Sequence, residues 1–175
     1  MSEKEKGAGL IVLITDLDGQ MVAIGQKRGA YSTEREMSPS LFAGVTQVTC
    51  HGKLNAGETP IAGLMREIEE ELGPHFADHI KRIGEETGLT ELVTLVTNKK
   101  EMTTFGCVVS LESLDWIRLG PSTGGLVKIH RGDLPNVRIA TKEMMMAGAP
   151  LEGITMFDDE LKAVKIASEL FNKLS

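Results

Sequence analysis

The sequence predicts a single domain of mixed α and β elements over residues 1–175, and three observations predict it. Several runs of seven or eight residues are rich in β-branched side chains and either alternate or stay apolar, as strands do. Residues 59–72 repeat their apolar positions at helical spacing between a capping threonine and a glycine-proline stop. Residues 158–174 form a second amphipathic helix, with Leu161, Val164, Ile166, Ala167 and Leu170 largely on one side. A chain of 175 residues buries a real core without disulfide or metal staples, and no linker or repeat array divides it.

In chain order, residues 9–15 read as a buried strand, Asp16–Gly19 as a turn signalled by Asp-Gly, and residues 20–26 as the returning strand. Residues 30–43 mix Ser, Thr, Pro and charge and read as a surface loop. Residues 44–51 alternate and are β-branched, which predicts a third strand. Thr59 caps the helix over 59–72, Pro60 fits its first turn, and Gly73-Pro74 ends it. A shorter helix is expected over 76–87, strands over 91–97 and 103–111, a loop over 118–136 rich in Gly, Pro and Ser, and a helix over 138–147.

The charge and cysteine content narrow the function classes. A formal net charge of −6 argues against a protein that coats nucleic acid, which shows a basic stripe. It leaves room for a small anionic substrate, because a bound cation inverts the local charge. Two cysteines, Cys50 and Cys107, make no disulfide framework, so the expectation is a reducing, cytoplasmic setting. The apolar run from Leu10 to Ile14 is too short for a signal core or a membrane span, and no membrane association is expected.

The helix over 59–72 carries the chemistry. At about 100° per residue, Ile61, Leu64, Met65, Ile68 and Leu72 share one stripe that faces a core. Glu67, Glu70 and Glu71, spaced i, i+3, i+4, share a second stripe, from which Glu69 falls away. Two unit charges about 6 Å apart repel by roughly 3 kcal/mol at an effective dielectric near 20, so three converging carboxylates favour a cation. Their hard oxygens suit Mg²⁺, Mn²⁺ or Ca²⁺. A solvated acidic face is the plain alternative for the helix taken alone. The flanking residues weigh against it: Gly52 and Gly57 permit close backbone approach to an ion or phosphate, and Glu58 sits within reach of helix amides or an arginine. Arg66, four residues before Glu70, is placed to pair with it.

Residues 52–74, GKLNAGETPIAGLMREIEEELGP, resemble the Nudix box, G-x5-E-x7-R-E-U-x-E-E-x-G-U with U a bulky apolar residue. Gly52, Glu58, Arg66, Glu67, Ile68, Glu70, Glu71 and Gly73 match; Pro74 stands at the last apolar position, where the helix stops. At roughly 10% per residue type, seven fixed positions coincide about once in 10⁷ trials. The resemblance to Nudix hydrolases implies an α+β fold, an α/β/α sandwich with a mixed sheet between helices. It implies an Mg²⁺- or Mn²⁺-dependent enzyme in which water attacks a diphosphate linkage of a nucleoside diphosphate derivative. The implied metal ligands are Glu67, Glu70, Glu71 and the Gly52 carbonyl, with Glu58 and Arg66 orienting the carboxylates. Glu70 is one candidate general base; Glu101 and Glu112 lie in the downstream region where family members often carry theirs.

On the substrate side, the expected set is Arg28 (or Lys27) for phosphate, Glu58, and an aromatic for the base: Phe105, Trp116 or Tyr31. The partner is thus a small nucleotide, with a homodimer plausible for the family. A non-catalytic nucleotide sensor on the same fold is the rival reading, against which the complete glutamate set argues. Three further features carry less. His75 and His79 are spaced i, i+4 without a companion ligand. Cys50-His51 leads directly into Gly52. Pro121–Gly125 lacks the lysine of a P-loop and reads as a loop beside the substrate pocket. No signature outside the box chooses between a nucleoside triphosphate, a nucleotide sugar and ADP-ribose.

Overall fold

The computed structural model describes residues 4–32, 36, 38–148 and 151–171. A mixed sheet forms the middle layer, built on β1 (Glu5–Thr15), β2 (Met21–Arg28), β7 (Thr90–Val96), β8 (Lys100–Val108) and β9 (Thr123–His130). Shorter strands complete it: β5 (Thr46–Gln47), β6 (Cys50–Lys53), β10 (Arg138–Ile139) and β11 (Thr155–Met156), while β3 (Tyr31–Ser32) and β4 (Ser38–Pro39) pair separately. α1 (Pro60–Leu72) and α2 (Pro74–Glu86) cover one face and α4 (Asp158–Phe171) the other; α3 (Lys142–Met146) is a short turn of helix.

The alternation of β1 makes the three layers. Leu10, Val12 and Ile14 pack with Leu64, Ile68 and Leu72 of α1 and Phe76 and Ile80 of α2. Ile11 and Leu13 point the other way, to Leu161, Val164 and Ala167 of α4. A strand buried on both faces reads as a continuous apolar run, which is what residues 10–14 are.

The central strands diverge, and that divergence creates the site. The first half of β1 pairs with β6 (Gly7↔Lys53 to Leu10↔Cys50), and its second half pairs with β2 (Val12↔Ile24 to Thr15↔Met21). The far end of β2 leaves β1 and pairs with β5 (Gln26↔Gln47) on one side and β9 on the other. The predicted strand over 44–51 is therefore split in two. Its chain changes partner from β2 to β1 at Val48–Thr49, where the Thr49 hydroxyl fills the junction, accepting from Val12 N at 2.8 Å and donating to the Ile24 carbonyl. Gly52 and Gln26 both face the opening that results.

α1 follows the sequence reading closely. The Thr59 side chain accepts from Ala62 N at 3.3 Å, and Gly73 closes the helix at φ 91°. Pro74, rather than simply ending α1, occupies the first turn of α2, so the two helices meet at one glycine. Ile61 departs from the expected stripe: in the first turn of α1 it is 43% exposed, while Leu64, Ile68 and Leu72 are fully buried. The 118–136 segment, expected as loop, contains β9 and the 3-10 helix Arg131–Asn136. The 138–147 segment, expected as helix, is split into β10 and α3. The last helix is described to Phe171; the remainder of the predicted 158–174 span lies outside the described residues.

Candidate active site

A cleft of about 420 Å³ opens where β1 and β2 part, and the second stripe of α1 forms one of its walls. Glu67, Glu70 and Glu71 all line it, as the spacing predicted, and Glu69 does not. Gly52 lines it from β6, and Arg28 and Lys27 from the end of β2. The cleft thus has an acidic wall and a basic one, and Lys53 and Lys100 also line it.

The acidic wall is held by an arginine. Arg66 Nη1 donates to Glu67 Oε1 at 2.7 Å and lies 3.6 Å from Glu70 Oε1. Its Nε and Nη2 donate to the two carboxylate oxygens of Glu58 at 3.2 and 3.1 Å, and Nη2 also donates to the Lys53 carbonyl at 2.8 Å. Glu58 accepts in addition from Asn55 N at 2.8 Å. Arg66 beside it holds the Glu58 carboxyl below the usual carboxylate range, and the two glutamates push the guanidinium still higher. The expected Arg66–Glu70 pair exists but is the longest of these contacts. The shorter ones fasten the loop before α1 to the helix, as a planar fork does best.

Gly52 is required by this packing. A Cβ there would lie 1.8 Å from Cδ of Glu67, so only glycine lets that carboxylate rest against the backbone. The three box carboxylates share one cleft and one chemistry. They are not drawn to a point: among the described residues no three of His, Cys, Asp and Glu close together as ligands of one ion would. Mutual repulsion and the Arg66 contact account for that spacing. Glu70 is 60% exposed, whereas the Glu67 side chain is 16% exposed. The hard oxygen donors and the adjoining Gly52 backbone fit a divalent cation that keeps several waters.

Two candidate bases are removed from the site. Glu101 lies between Lys100 and Met102 on β8; those two line the cleft, and the strand's two-residue period turns Glu101 to the other face. Glu112 lies in the first turn of the 3-10 helix Leu111–Trp116, packed beside α2, and does not line the cleft. Phe105 is corrected as a stacking residue: it is 7% exposed and sits in the core beneath α1 and α2, because β8 is a central strand next to β1. Trp116 lines a separate cavity of about 510 Å³ with His75, and packs edge-on to His79. His79 shares a 3.1 Å hydrogen bond with the Ser113 hydroxyl, so His75 and His79 do not act as a ligand pair. Tyr31, 51% exposed, is the aromatic that reaches the cleft. The 120–123 stretch lines it too, as expected of the Pro121–Gly125 segment.

Sequence reasoning did not find Gln26, Gln47 or Glu160. Nothing in a strand sequence marks Gln26 and Gln47 as facing a cleft. Glu160 looks like an ordinary acid in the first turn of a helix, yet its side chain is only 11% exposed, accepts from Val48 N at 3.0 Å and approaches His51 Nδ1 to 3.8 Å. Burial, with Asp159 beside it, pushes the Glu160 carboxyl up to about 8; Lys100 and Arg28 act in the opposite sense. Burial, with Lys100 and Arg28, brings His51 down to about 4. The unfolded chain releases the Glu160 proton near 4.5 while the folded chain keeps it to about 8, so its contribution to stability is lost as pH rises across that window. Thermal melts between pH 5 and 8 are expected to show Glu160→Gln gaining on the wild type as pH rises. A constant difference between the two would contradict this.

Neither a protein-family model nor a curated relative matches the sequence. Solved structures do resemble the fold. A mutT/nudix family protein from Listeria innocua superposes with TM-score 0.64 at 15% identity, covering 99% of this chain and 98% of that one. The NUDIX domain of Shewanella oneidensis NrtR, solved with ADP ribose, gives 0.60 at 11% identity over 98% and 90%. An Ap4A hydrolase from C. elegans gives 0.55 at 12% identity over 97% and 98%. The architecture is the Nudix fold, an α+β sandwich with a mixed sheet between helices.

Proposed function

We propose that this chain is a Nudix hydrolase, a single domain over 1–175 that uses Mg²⁺ or Mn²⁺ to hydrolyse a diphosphate linkage in a nucleoside diphosphate derivative. One observation carries the reading. Within this fold, the three box carboxylates and the Gly52 backbone line the same cleft as Arg28 and Lys27. Glu67, Glu70, Glu71 and the Gly52 carbonyl would hold the metal. Once bound, it supplies charge neutralisation of the phosphates and a more acidic water.

The chain's own residues supply the rest. Arg66, held by Glu58 and the Lys53 carbonyl, orients Glu67 and stands near Glu70. Glu70, the most exposed of the three, has the freedom to take the proton of the attacking water, as a general base must. Arg28 and Lys27 meet phosphate oxygens from the opposite wall, and Tyr31 offers a face to the nucleobase. Glu58 acts through Arg66 and not on the substrate. No helix among the described residues is long and apolar enough to cross a membrane.

The test is a panel of nucleoside triphosphates, nucleotide sugars, dinucleoside polyphosphates and ADP-ribose, each with Mg²⁺, with Mn²⁺ and with chelator, read by phosphate and nucleotide release. Metal-dependent cleavage of at least one member is expected. Nucleotide binding by calorimetry without any cleavage would instead establish a non-catalytic sensor.

A further inference from the structure

Glu67 is held by a cation, Arg66. Glu71 is held differently. We propose that Gln26 positions Glu71 as a metal ligand, and that Thr123 sets the orientation of the Gln26 amide; this rests on the metal-ligand reading of the box carboxylates.

Gln26 lies on β2 where it leaves β1, and is only 4% exposed. Three groups surround its carboxamide: the Thr49 carbonyl at 3.2 Å, Glu71 Oε2 at 3.3 Å and the Thr123 hydroxyl at 2.5 Å. A carbonyl and a carboxylate only accept, whereas a hydroxyl also donates. One orientation satisfies all three: the amide nitrogen donates to Thr49 and Glu71, and the amide oxygen accepts from Thr123. The opposite orientation would turn an oxygen toward Glu71 and repel it.

The Gln26 amide is neutral. It directs the Glu71 carboxylate without placing a positive charge against it, whereas Arg66 places one against Glu67. Thr123 belongs to the 120–123 stretch that lines the cleft, and Gly120 N donates to the Glu71 carbonyl at 3.0 Å. The same stretch therefore holds the backbone of Glu71 directly and its side chain through Gln26.

Supports of this kind are worth about 10–100-fold in metal affinity. Calorimetric titration with Mn²⁺ of the wild type, Gln26→Met, Thr123→Val and the double variant tests the inference, with thermal melts as the folding control. Each single variant is expected to weaken Mn²⁺ binding about 10–100-fold. The double variant should be no weaker than Gln26→Met, because Thr123 acts through the amide. Thr123→Val reads the same contact if Gln26→Met fails to fold. Wild-type Mn²⁺ affinity in the folded variants would overturn the positioning role alone. A wild type that binds no Mn²⁺ would overturn the metal reading and this inference with it.

Discussion

Glu71→Gln is expected to lower turnover by at least about 10³-fold, some 4 kcal/mol of transition-state stabilisation, while the protein melts at the wild-type temperature. The substitution keeps the shape of the side chain and an oxygen to accept from the Gln26 amide but removes the charge. Glu71 sits in the last turn of α1 with its carboxylate directed into the cleft beside Gly52 and the 120–123 stretch. A carboxamide there is a far poorer ligand for a hard divalent cation. Steady-state kinetics on the best substrate of the panel, with melts alongside, check the expectation. Turnover near that of the wild type would remove Glu71 from the chemistry.

Ile68→Ala is expected to cost about 2–5 kcal/mol of stability and leave the turnover of the folded fraction largely intact. Ile68 occupies the bulky apolar position of the box, fully buried between Leu64 and Leu72 on the stripe that seats α1 on β1. Its side chain points away from Glu67, Glu70 and Glu71, so the deletion leaves a cavity in the core and spares the cleft. Denaturant unfolding measures the loss. A variant as stable as the wild type would mean that α1 is not seated as described.

These two substitutions separate what the box says about folding from what it says about chemistry, and both halves were legible in the sequence for a physical reason. A helix is a local structure. Its cap, its apolar period and its acidic stripe are set by neighbours within four residues, so Thr59, Leu64, Ile68, Leu72, Glu67, Glu70 and Glu71 could be placed from the chain alone. Arg66 was legible as a partner for Glu70. Its stronger ties to Glu58 and the Lys53 carbonyl depend on how the preceding loop folds back, which spacing does not give.

What was missed depends on the partner strand. β9 looked like loop because Gly124-Gly125 stands near its start; pairing with β2, from Val22↔His130 to Arg28↔Thr123, overrides that local weakness. The 44–51 strand divides because its two halves find different partners, and the division opens the cleft. Phe105 had the composition of a stacking residue but stands on a strand parallel to β1, opposite Leu10, which places it in the core. Glu101 and Glu112 failed as bases on direction and distance. Gln26 and Glu160 act through contacts 45 and 112 residues away in sequence, to Glu71 and Val48, and no single-sequence pattern encodes such contacts.

The central claim is that the carboxylates of positions 67, 70 and 71 gather divalent cations beside the Gly52 backbone. A crystal grown with Mn²⁺ and a non-hydrolysable nucleotide, examined by anomalous scattering, tests it most directly. The account predicts manganese within about 2.0–2.3 Å of oxygens from these glutamates and next to the diphosphate. Manganese bound elsewhere, with Glu67, Glu70 and Glu71 all facing solvent, would contradict it.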